Sequence, residues 1–174
     1  MLDGAVIVLD GVHGVETQSE TVFLQANKFN VSKLFFINKL DRMGANFEES
    51  LESIKSRLGI DVLSIQMPIM KAESIEAIVD LIRMQKITWT DALGNKVVIE
   101  DLKETDAAYE EAVLRREEMI ETLANYDDEV MTKLLEEKPI SIEEIQKGIK
   151  TAIATRPNEV ALVMCGSALK NRGI

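Results

Sequence analysis

Short apolar runs alternate with amphipathic stretches along the first third of the chain. The apolar runs Ala5–Leu9 and Leu34–Ile37 are bounded by turn residues, as is typical of buried parallel strands. A helical pattern follows each of them, at Glu16–Phe29 and at Phe47–Leu58, and Asp61–Gln66 has the composition of a further strand. The order strand, helix, strand, helix, strand predicts a doubly wound α/β sheet.

Both helices carry start or stop signals. Glu16 or Thr17 can cap the first helix, while Asn46 can cap the second, which ends at Gly59. We expect the buried face of the first helix to consist of apolar side chains from its middle and end: Val22, Leu24, Ala26 and Phe29.

The pattern changes after Pro68. Short strands are predicted at Ala77–Met84, Lys86–Thr90 and Lys96–Glu100, with a turn at Asp91–Asn95. Helices are predicted at Leu102–Asn125, at Asp127–Glu137 and from Ser141 toward Ala154, and the run Val160–Met164 predicts a last buried strand. We therefore divide the chain into 1–68, an inserted α+β subdomain at 69–156, and 157–174. The insert separates two strands that are expected to be neighbours, so it has grown out of a loop.

Charge is distributed unevenly. The chain carries a formal net charge of −10. The stretch from Asp101 to Lys147 holds fifteen Asp or Glu against six Lys or Arg, a net of −9. Sequence-specific or backbone binding of nucleic acid needs a basic face, so the chain is not expected to bind nucleic acid by itself. The asymmetry indicates two substructures with different surfaces.

Other functional classes are disfavoured by composition. No apolar run has the length that spans a bilayer, and no charged-then-apolar leader opens the chain, so we expect no membrane association. The single cysteine, Cys165, ends a predicted buried strand, which favours a small core residue over a catalytic thiol. The single histidine, His13, lies in a loop and is expected to be a surface or turn residue. We assign no catalytic and no metal-binding residue.

The motif Asn38-Lys39-Leu40-Asp41 follows directly after a predicted strand. In open α/β sheets, ligands bind outside the carboxyl ends of the strands. A carboxylate there can accept two hydrogen bonds from the guanine edge, from N1–H and from the exocyclic amine. Adenine would leave that carboxylate unpaired, and polar sites can reject such analogues by ~10⁴ or more. We therefore expect Asp41 to select guanine, Asn38 to tie the loop together and the Lys39 stem to cover one face of the ring.

A second motif follows the last predicted strand. In guanine-nucleotide proteins, a Ser-Ala turn closes the base pocket, and here Ser167-Ala168 holds the corresponding place. The backbone N–H of Ala168 would donate to guanine O6, and the Ser167 hydroxyl can hold the carboxylate of Asp41. Either motif alone carries a real false-positive risk. Each after its own strand, they favour a guanine site over a different small α/β enzyme with accidental matches.

Stretches along most of the chain resemble the translation elongation factor G family and its mitochondrial relatives. The matching stretches are Leu2–Ala5, Gly14–Glu16, Gln18–Glu20, Phe36–Ala45, Gln66–Ile69, Val79–Ile82 and Cys165–Gly173. The resemblance implies a P-loop GTPase-type sheet and GTP or GDP as the ligand. At the position directly after Ser167-Ala168, many small GTPases have a lysine that covers the ring. The resemblance implies that Leu169 would cover the ring here.

The phosphate-binding elements of that family do not occur in the sequence. There is no Gly-rich loop ending in Gly-Lys-Ser/Thr, and Asp10–Gly14 has one residue too many for the family's Asp-x-x-Gly turn. We therefore expect an internal piece that lacks the phosphate-binding half of the domain. Phosphoryl transfer depends on stabilising charge at the phosphates, so the chain alone is expected to be inactive with feeble guanine affinity. Mg²⁺ would be bound in the parent by residues absent from this chain.

The resemblance also implies partners and a location. The parent would hydrolyse GTP on the ribosome to drive movement of transfer RNA and messenger, and the acidic insert would contact ribosomal stalk proteins. Two alternatives stay open: a mitochondrial paralogue that recycles ribosomes, and a ribosomal protein-interaction module independent of nucleotide. The compartment is either the bacterial cytoplasm or the mitochondrial matrix.

Overall fold

A computed structural model describes residues 3–174. Leu2, in the first stretch that resembles the family, lies outside the described residues. The first half contains β1 (Gly4–Asp10), α1 (Thr17–Lys28), β2 (Ser32–Asn38), α2 (Phe47–Leu58), β3 (Asp61–Ser64), β4 (Gln66–Lys71), β5 (Ser74–Asp80) and β6 (Gln85–Trp89). The second half contains β7 (Val97–Asp101), α3 (Tyr109–Ala124), α4 (Asp128–Leu135), α5 (Ile142–Thr155) and β8 (Val160–Cys165).

Four parallel strands form the first sheet, in the order β1-β2-β8-β3. The last strand in the chain thus inserts beside β2, with Phe36 opposite Met164 and Ile37 opposite Cys165. Because all four strands run in the same direction, the loops that follow β1, β2 and β8 leave the sheet at the same edge. The predicted α/β doubly wound architecture is confirmed.

Helices cover both faces of this sheet. On one face, Phe23 of α1 and Ile54 of α2 pack with buried strand residues such as Phe35. On the other face, Leu123 of α3 and Ile149 of α5 share a core cluster with residues of β3 and β8. Cover on both faces suits the apolar runs of β2 and β8. The edge strand β1 buries only one face, because Val6 and Val8 are 63% and 57% exposed, so the prediction of a buried strand at Ala5–Leu9 holds for one face of it. Within residues 3–174, no helix combines the length and apolar composition needed to cross a membrane.

A second, antiparallel sheet has the order β4-β5-β6-β7. The sequence predicted its last three strands approximately but missed β4, because Pro68 was interpreted as the end of the regular structure. Pro68 pairs with Ile78 in β4, which is an edge strand of this sheet. An edge strand tolerates proline because its N–H is not needed on the open side.

The acidic helices bind to the first sheet as well as to each other. Ser32 Oγ, on β2, donates to the Ile153 carbonyl of α5 over 2.8 Å, and Met119 of α3 lies in one core cluster with Leu63 of β3. Residues 69–156 therefore contribute both the greater part of the antiparallel sheet and a helical layer on the parallel sheet.

The predicted buried face of α1 is wrong at three of its four residues, and the fourth, Ala26, is half-buried. Val22, Leu24 and Phe29 are 47%, 59% and 77% exposed, and the buried side chain of the helix is Phe23. The helix packs by a narrow stripe around Phe23 against β1 and β2, so apolar residues on neighbouring positions point away from the sheet.

The predicted caps of α2 are confirmed. The Asn46 side chain accepts hydrogen bonds from the N–H groups of Glu48 and Glu49, and Gly59 ends the helix with φ 65°. Glu16 precedes α1 without a side-chain cap hydrogen bond. The short acceptor of Asn46 reaches the free N–H groups of the first turn, as asparagine caps do.

Gly11 lies where the loop after β1 passes against the loop after β2. A Cβ atom at Gly11 would lie 2.8 Å from Leu40 Cδ2 and 3.0 Å from the Asn38 carbonyl oxygen. At Gly4, in the strand before it, the nearest atom to such a Cβ is the Ser32 carbonyl oxygen at 3.7 Å. The two glycines therefore form a matched pair, one without space for a methyl group and one with it.

We expect Gly11→Ala to lower the free energy of unfolding by ~1–3 kcal/mol, because the methyl group forces the two loops apart. Gly4→Ala is expected to change it by less than ~1 kcal/mol, in the stabilising direction if at all. Urea denaturation of both variants and the wild type measures the difference. Equal stability of Gly11→Ala and wild type would contradict the close packing of these loops.

Candidate nucleotide-binding site

Three loops meet at the carboxyl edge of the parallel sheet. We name them the first loop (residues 11–16, after β1), the second loop (residues 39–46, after β2) and the third loop (residues 166–173, after β8). Backbone hydrogen bonds join them: Gly11 N–H donates to the Asn38 carbonyl over 2.8 Å, and Gly166 N–H donates to the Ile37 carbonyl over 2.9 Å. The parallel pairing of the strands thus continues into the loops.

Asn38 connects the second and third loops through its side chain. Its Oδ1 accepts a hydrogen bond from Lys39 N–H at 2.8 Å and another from Ala168 N–H at 2.9 Å. The two donors are far apart in the sequence but adjacent here because β2 and β8 are paired. One amide oxygen therefore fixes the spacing between the two motifs that sequence analysis assigned to the base.

The Ala168 donor is already engaged. Its N–H points at Asn38 Oδ1, whereas sequence analysis assigned this N–H to guanine O6. A carbonyl oxygen of an incoming base would have to share the Ala168 N–H with Asn38 or replace it. The assignment of this N–H to guanine O6 therefore requires that its bond to Asn38 be shared or broken when a base binds.

Lys39 is held in an unusual conformation. Its backbone φ of 62° lies in the left-handed region, which residues other than glycine rarely adopt. Its Nζ lies 2.8 Å from Asp10 Oδ2, and Arg42 lies 3.7 Å from the same oxygen. The Lys39 side chain is 43% exposed, so it lies along the surface of the loops rather than in the core.

Asp41 and Ser167 differ in their surroundings. Asp41 is half-buried and Ser167 is fully buried. The Ser167 hydroxyl accepts a hydrogen bond from Lys170 N–H at 3.3 Å, and Ser167 also exchanges backbone hydrogen bonds with Arg172. Among residues 3–174, no hydrogen bond joins Ser167 to the Asp41 carboxylate. The Asp41 side chain therefore makes no hydrogen bond to the turn that was expected to hold it.

Two large apolar side chains stand exposed in these loops. Leu169, next to Ala168, is 86% exposed, and Met43 in the second loop is 77% exposed. The exposure of Leu169 leaves its predicted role as an apolar cover for the base a prediction.

Sequence analysis missed Asp10 as a member of this group. It ends β1, directly beside Asn38 at the end of β2, and its side chain is 13% exposed. Burial raises the pKa of the Asp10 carboxyl, but the hydrogen bonds from Lys39 and Val12 and the nearby cations outweigh it and hold the pKa below its usual value. The signal was available, because a carboxylate at the end of a neighbouring parallel strand reaches the same edge.

Two other residues singled out by sequence analysis lie apart from this chemistry. Cys165 is fully buried, and burial raises the pKa of its thiol, so it is a core residue. His13 is exposed in the first loop. In the part of the chain that the structure describes, no three His, Cys, Asp or Glu side chains are placed to hold a metal ion.

Comparisons with known proteins identify the family of this chain. The family model described as "Elongation factor Tu GTP binding domain" matches residues 1–174. Over the whole chain, the sequence is 42% identical to elongation factor G of Thermotoga neapolitana and 41% identical to that of Thermotoga maritima, and it covers 24% and 25% of those proteins. A crystal structure of a Thermus thermophilus protein superposes with a TM-score of 0.81 at 20% identity, covering 97% of this chain and 24% of that one. The chain thus spans about a quarter of the length of these relatives.

Proposed function

We propose that this chain, which belongs to the elongation factor Tu GTP-binding domain family, binds the guanine base of GTP or GDP between its second and third loops. The observation that carries the proposal is the pair of hydrogen bonds from Lys39 N–H and Ala168 N–H to Asn38 Oδ1. They bring the Asn38–Asp41 motif and the Ser167–Ala168 turn to a fixed spacing at the edge where such sheets bind ligands.

Each group has a distinct task in this proposal. The Asp41 carboxylate accepts from guanine N1–H and from the exocyclic amine, which adenine does not offer in that pattern. Ala168 N–H, now bonded to Asn38, donates to guanine O6. The Lys39 stem and Leu169 cover opposite faces of the ring. Ser167, buried below the turn, supports the backbone that presents Ala168.

The phosphates would be bound elsewhere. The described residues assemble no metal site, and the sequence has no Gly-Lys-Ser/Thr loop, so we derive no step through Mg²⁺. We propose that hydrolysis of GTP belongs to a longer protein, in which residues outside this chain would hold the phosphates and a charge-neutralising Mg²⁺, while this chain orients the base. This chain by itself is proposed to be inactive.

We propose that the longer protein acts on the ribosome and drives translocation, because the relatives named elongation factor G share this chain's whole length. These relatives are bacterial and give no support to a mitochondrial location, so we favour the bacterial cytoplasm. A ribosome-recycling role is the alternative within the family, since the residues that would decide between the two roles lie outside the shared region.

We propose a second function for the acidic helices. A groove lies between α3 and the segment after α4. Its apolar lining is Ile120, Leu134, Pro139 and Ile140, and its charged lining is Glu117, Glu121, Arg116 and Lys138. We propose that this surface binds a basic partner on the ribosome, such as a stalk protein. The groove itself is lined by two acids and two bases, but the stretch from Asp101 to Lys147 has a net charge of −9. This charge favours a partner that presents apolar residues flanked by lysine or arginine.

The base site is tested with Asp41→Asn. In titrations of the 174-residue chain followed by NMR, guanosine is expected to shift the amide signals of Lys39 and Ala168, and adenosine is not. In Asp41→Asn, guanosine binding weakens by at least ~10-fold, because two charge-assisted hydrogen bonds are lost. Xanthosine then binds better than guanosine, because the new amide donates to the carbonyl that replaces the exocyclic amine.

Asp101 is exposed, and Asp101→Asn is the control for loss of one negative charge. It should leave the base preference unchanged. Guanosine binding that is equal in wild type and Asp41→Asn would overturn the assignment of Asp41.

The partner surface is tested by charge reversal. Replacing Glu117, Glu118 and Glu121 by lysine is expected to weaken association with ribosomes by ~10-fold at low salt and to flatten its salt dependence, because favourable long-range attraction is lost. Reversal of three exposed acids away from the groove, Glu16, Glu73 and Glu100, has the same effect on net charge. If both triple variants bind equally well, the groove is not the contact, whatever the outcome at the base site.

A further inference from the structure

We infer that Asp10 is a positioning residue for the base site: it anchors the ammonium of Lys39 so that the lysine stem is held where the base ring binds. The inference rests on the proposed function, since it assigns a role to Asp10 in that same site. Asp10 itself would not touch the base. It acts through Lys39 Nζ, which lies 2.8 Å from its Oδ2.

The Lys39 backbone shows that this position is constrained. A lysine with φ 62° is in a region that costs energy for any residue with a side chain, and such conformations persist only where neighbouring contacts enforce them. Here Lys39 N–H is fixed by Asn38 Oδ1, and the next residue, Leu40, donates its N–H to the Gly166 carbonyl at 3.4 Å. The backbone is therefore fixed on both sides of the Lys39 Cα.

The side chain is fixed at its far end by Asp10. With its backbone held by Asn38 and its Nζ held by Asp10, the four-carbon stem spans between two fixed points. A free lysine samples many rotamers, and ordering it on binding would oppose the binding of a base. Ordering it beforehand removes that cost from the binding step.

Asp10 is well placed to act as an anchor. Its Oδ1 accepts from Val12 N–H at 2.9 Å, and its own carbonyl accepts from the N–H groups of His13 and Gly14 at 3.1 and 2.8 Å. Both carboxylate oxygens are thus engaged, one by the first loop and the other by Lys39. Because the first loop fixes the position of the carboxylate, the ion pair holds the Lys39 ammonium against the loops.

The burial of Asp10 distinguishes this ion pair from the ion pairs between exposed side chains. Asp10 is largely buried at 13% exposure, in contrast to the ion pairs between exposed partners elsewhere, such as Lys147 with Glu129 at 62% and 68%. Arg42 lies 3.7 Å from the same Oδ2 but is 59% exposed. It adds attraction without replacing the 2.8 Å contact of Lys39.

The test uses the 174-residue chain, guanosine as the probe, and variants of both partners. Asp10→Asn keeps the shape and an acceptor for Val12 N–H but removes the charge that holds Lys39. We expect it to weaken guanosine binding by ~3- to 10-fold, the range of a partly buried ion pair, while the ratio of guanosine to adenosine affinity stays unchanged. Asp10→Glu, which keeps the charge, should restore part of the affinity.

A double-mutant cycle separates positioning from general support of the loop. Lys39→Met keeps an apolar stem but has no ammonium. If Asp10 acts through Lys39, Asp10→Asn has little further effect in the Lys39→Met background. In wild type, bound guanosine should also move the Lys39 methylene proton signals upfield by the ring current, and Asp10→Asn should reduce that shift.

The inference is overturned if Asp10→Asn binds guanosine as wild type does, or if its full effect persists in the Lys39→Met background. Neither result would contradict the proposed base site, because guanosine binding by the wild type is measured in the same series. Absence of any guanosine binding by wild type, in contrast, would overturn the proposed function and this inference together.

Discussion

One amide oxygen, Asn38 Oδ1, links the two halves of the candidate site. It accepts from Lys39 N–H and from Ala168 N–H, which belong to loops that are separated by most of the chain. The pairing of β2 with β8 brings these loops close, and backbone hydrogen bonds of Gly166 with Ile37 and Leu40 continue that pairing for one residue past Cys165. The side chain of Asn38 adds a further connection, so the Asn38–Asp41 motif and the Ser167–Ala168 turn are held at one spacing before any ligand arrives.

Electrostatics at this edge reinforce the same geometry. Two segments contribute charge within a small space: Asp10 ends β1, while Lys39, Asp41 and Arg42 follow β2. The Asp10 carboxylate attracts the two cations, and within residues 3–174 Asp41 forms no ion pair. Segregation of this kind keeps one carboxylate structural and the other available to donors from outside. The acidic helices pack on the other face of the sheet from α1 and α2.

The parts of the fold that depend on local signals could be predicted from the sequence. Apolar runs located the parallel strands, and Asn46 and Gly59 marked the ends of α2, because capping is a property of neighbouring residues. Features that depend on partners elsewhere were missed. Pro68 was interpreted as a terminator since only the strand order shows that β4 is an edge strand. In α1, Phe23 faces the core between the helix and the sheet, and Val22 and Leu24 do not. The pairing of Asp10 with Lys39 could be predicted only if β1 were known to lie beside β2.

Amide hydrogen exchange at Ala168 tests the central link most directly. In wild type, the Ala168 N–H should exchange slowly because Asn38 Oδ1 accepts it. Asn38→Ala should make it exchange much faster, while Asn38→Asp, which keeps an acceptor oxygen, should preserve most of the protection. The amides of Phe35 and Val163 in the strands should be unaffected in both variants. Unchanged protection of Ala168 in Asn38→Ala would contradict the account, because the two loops would then be held together by something other than this side chain.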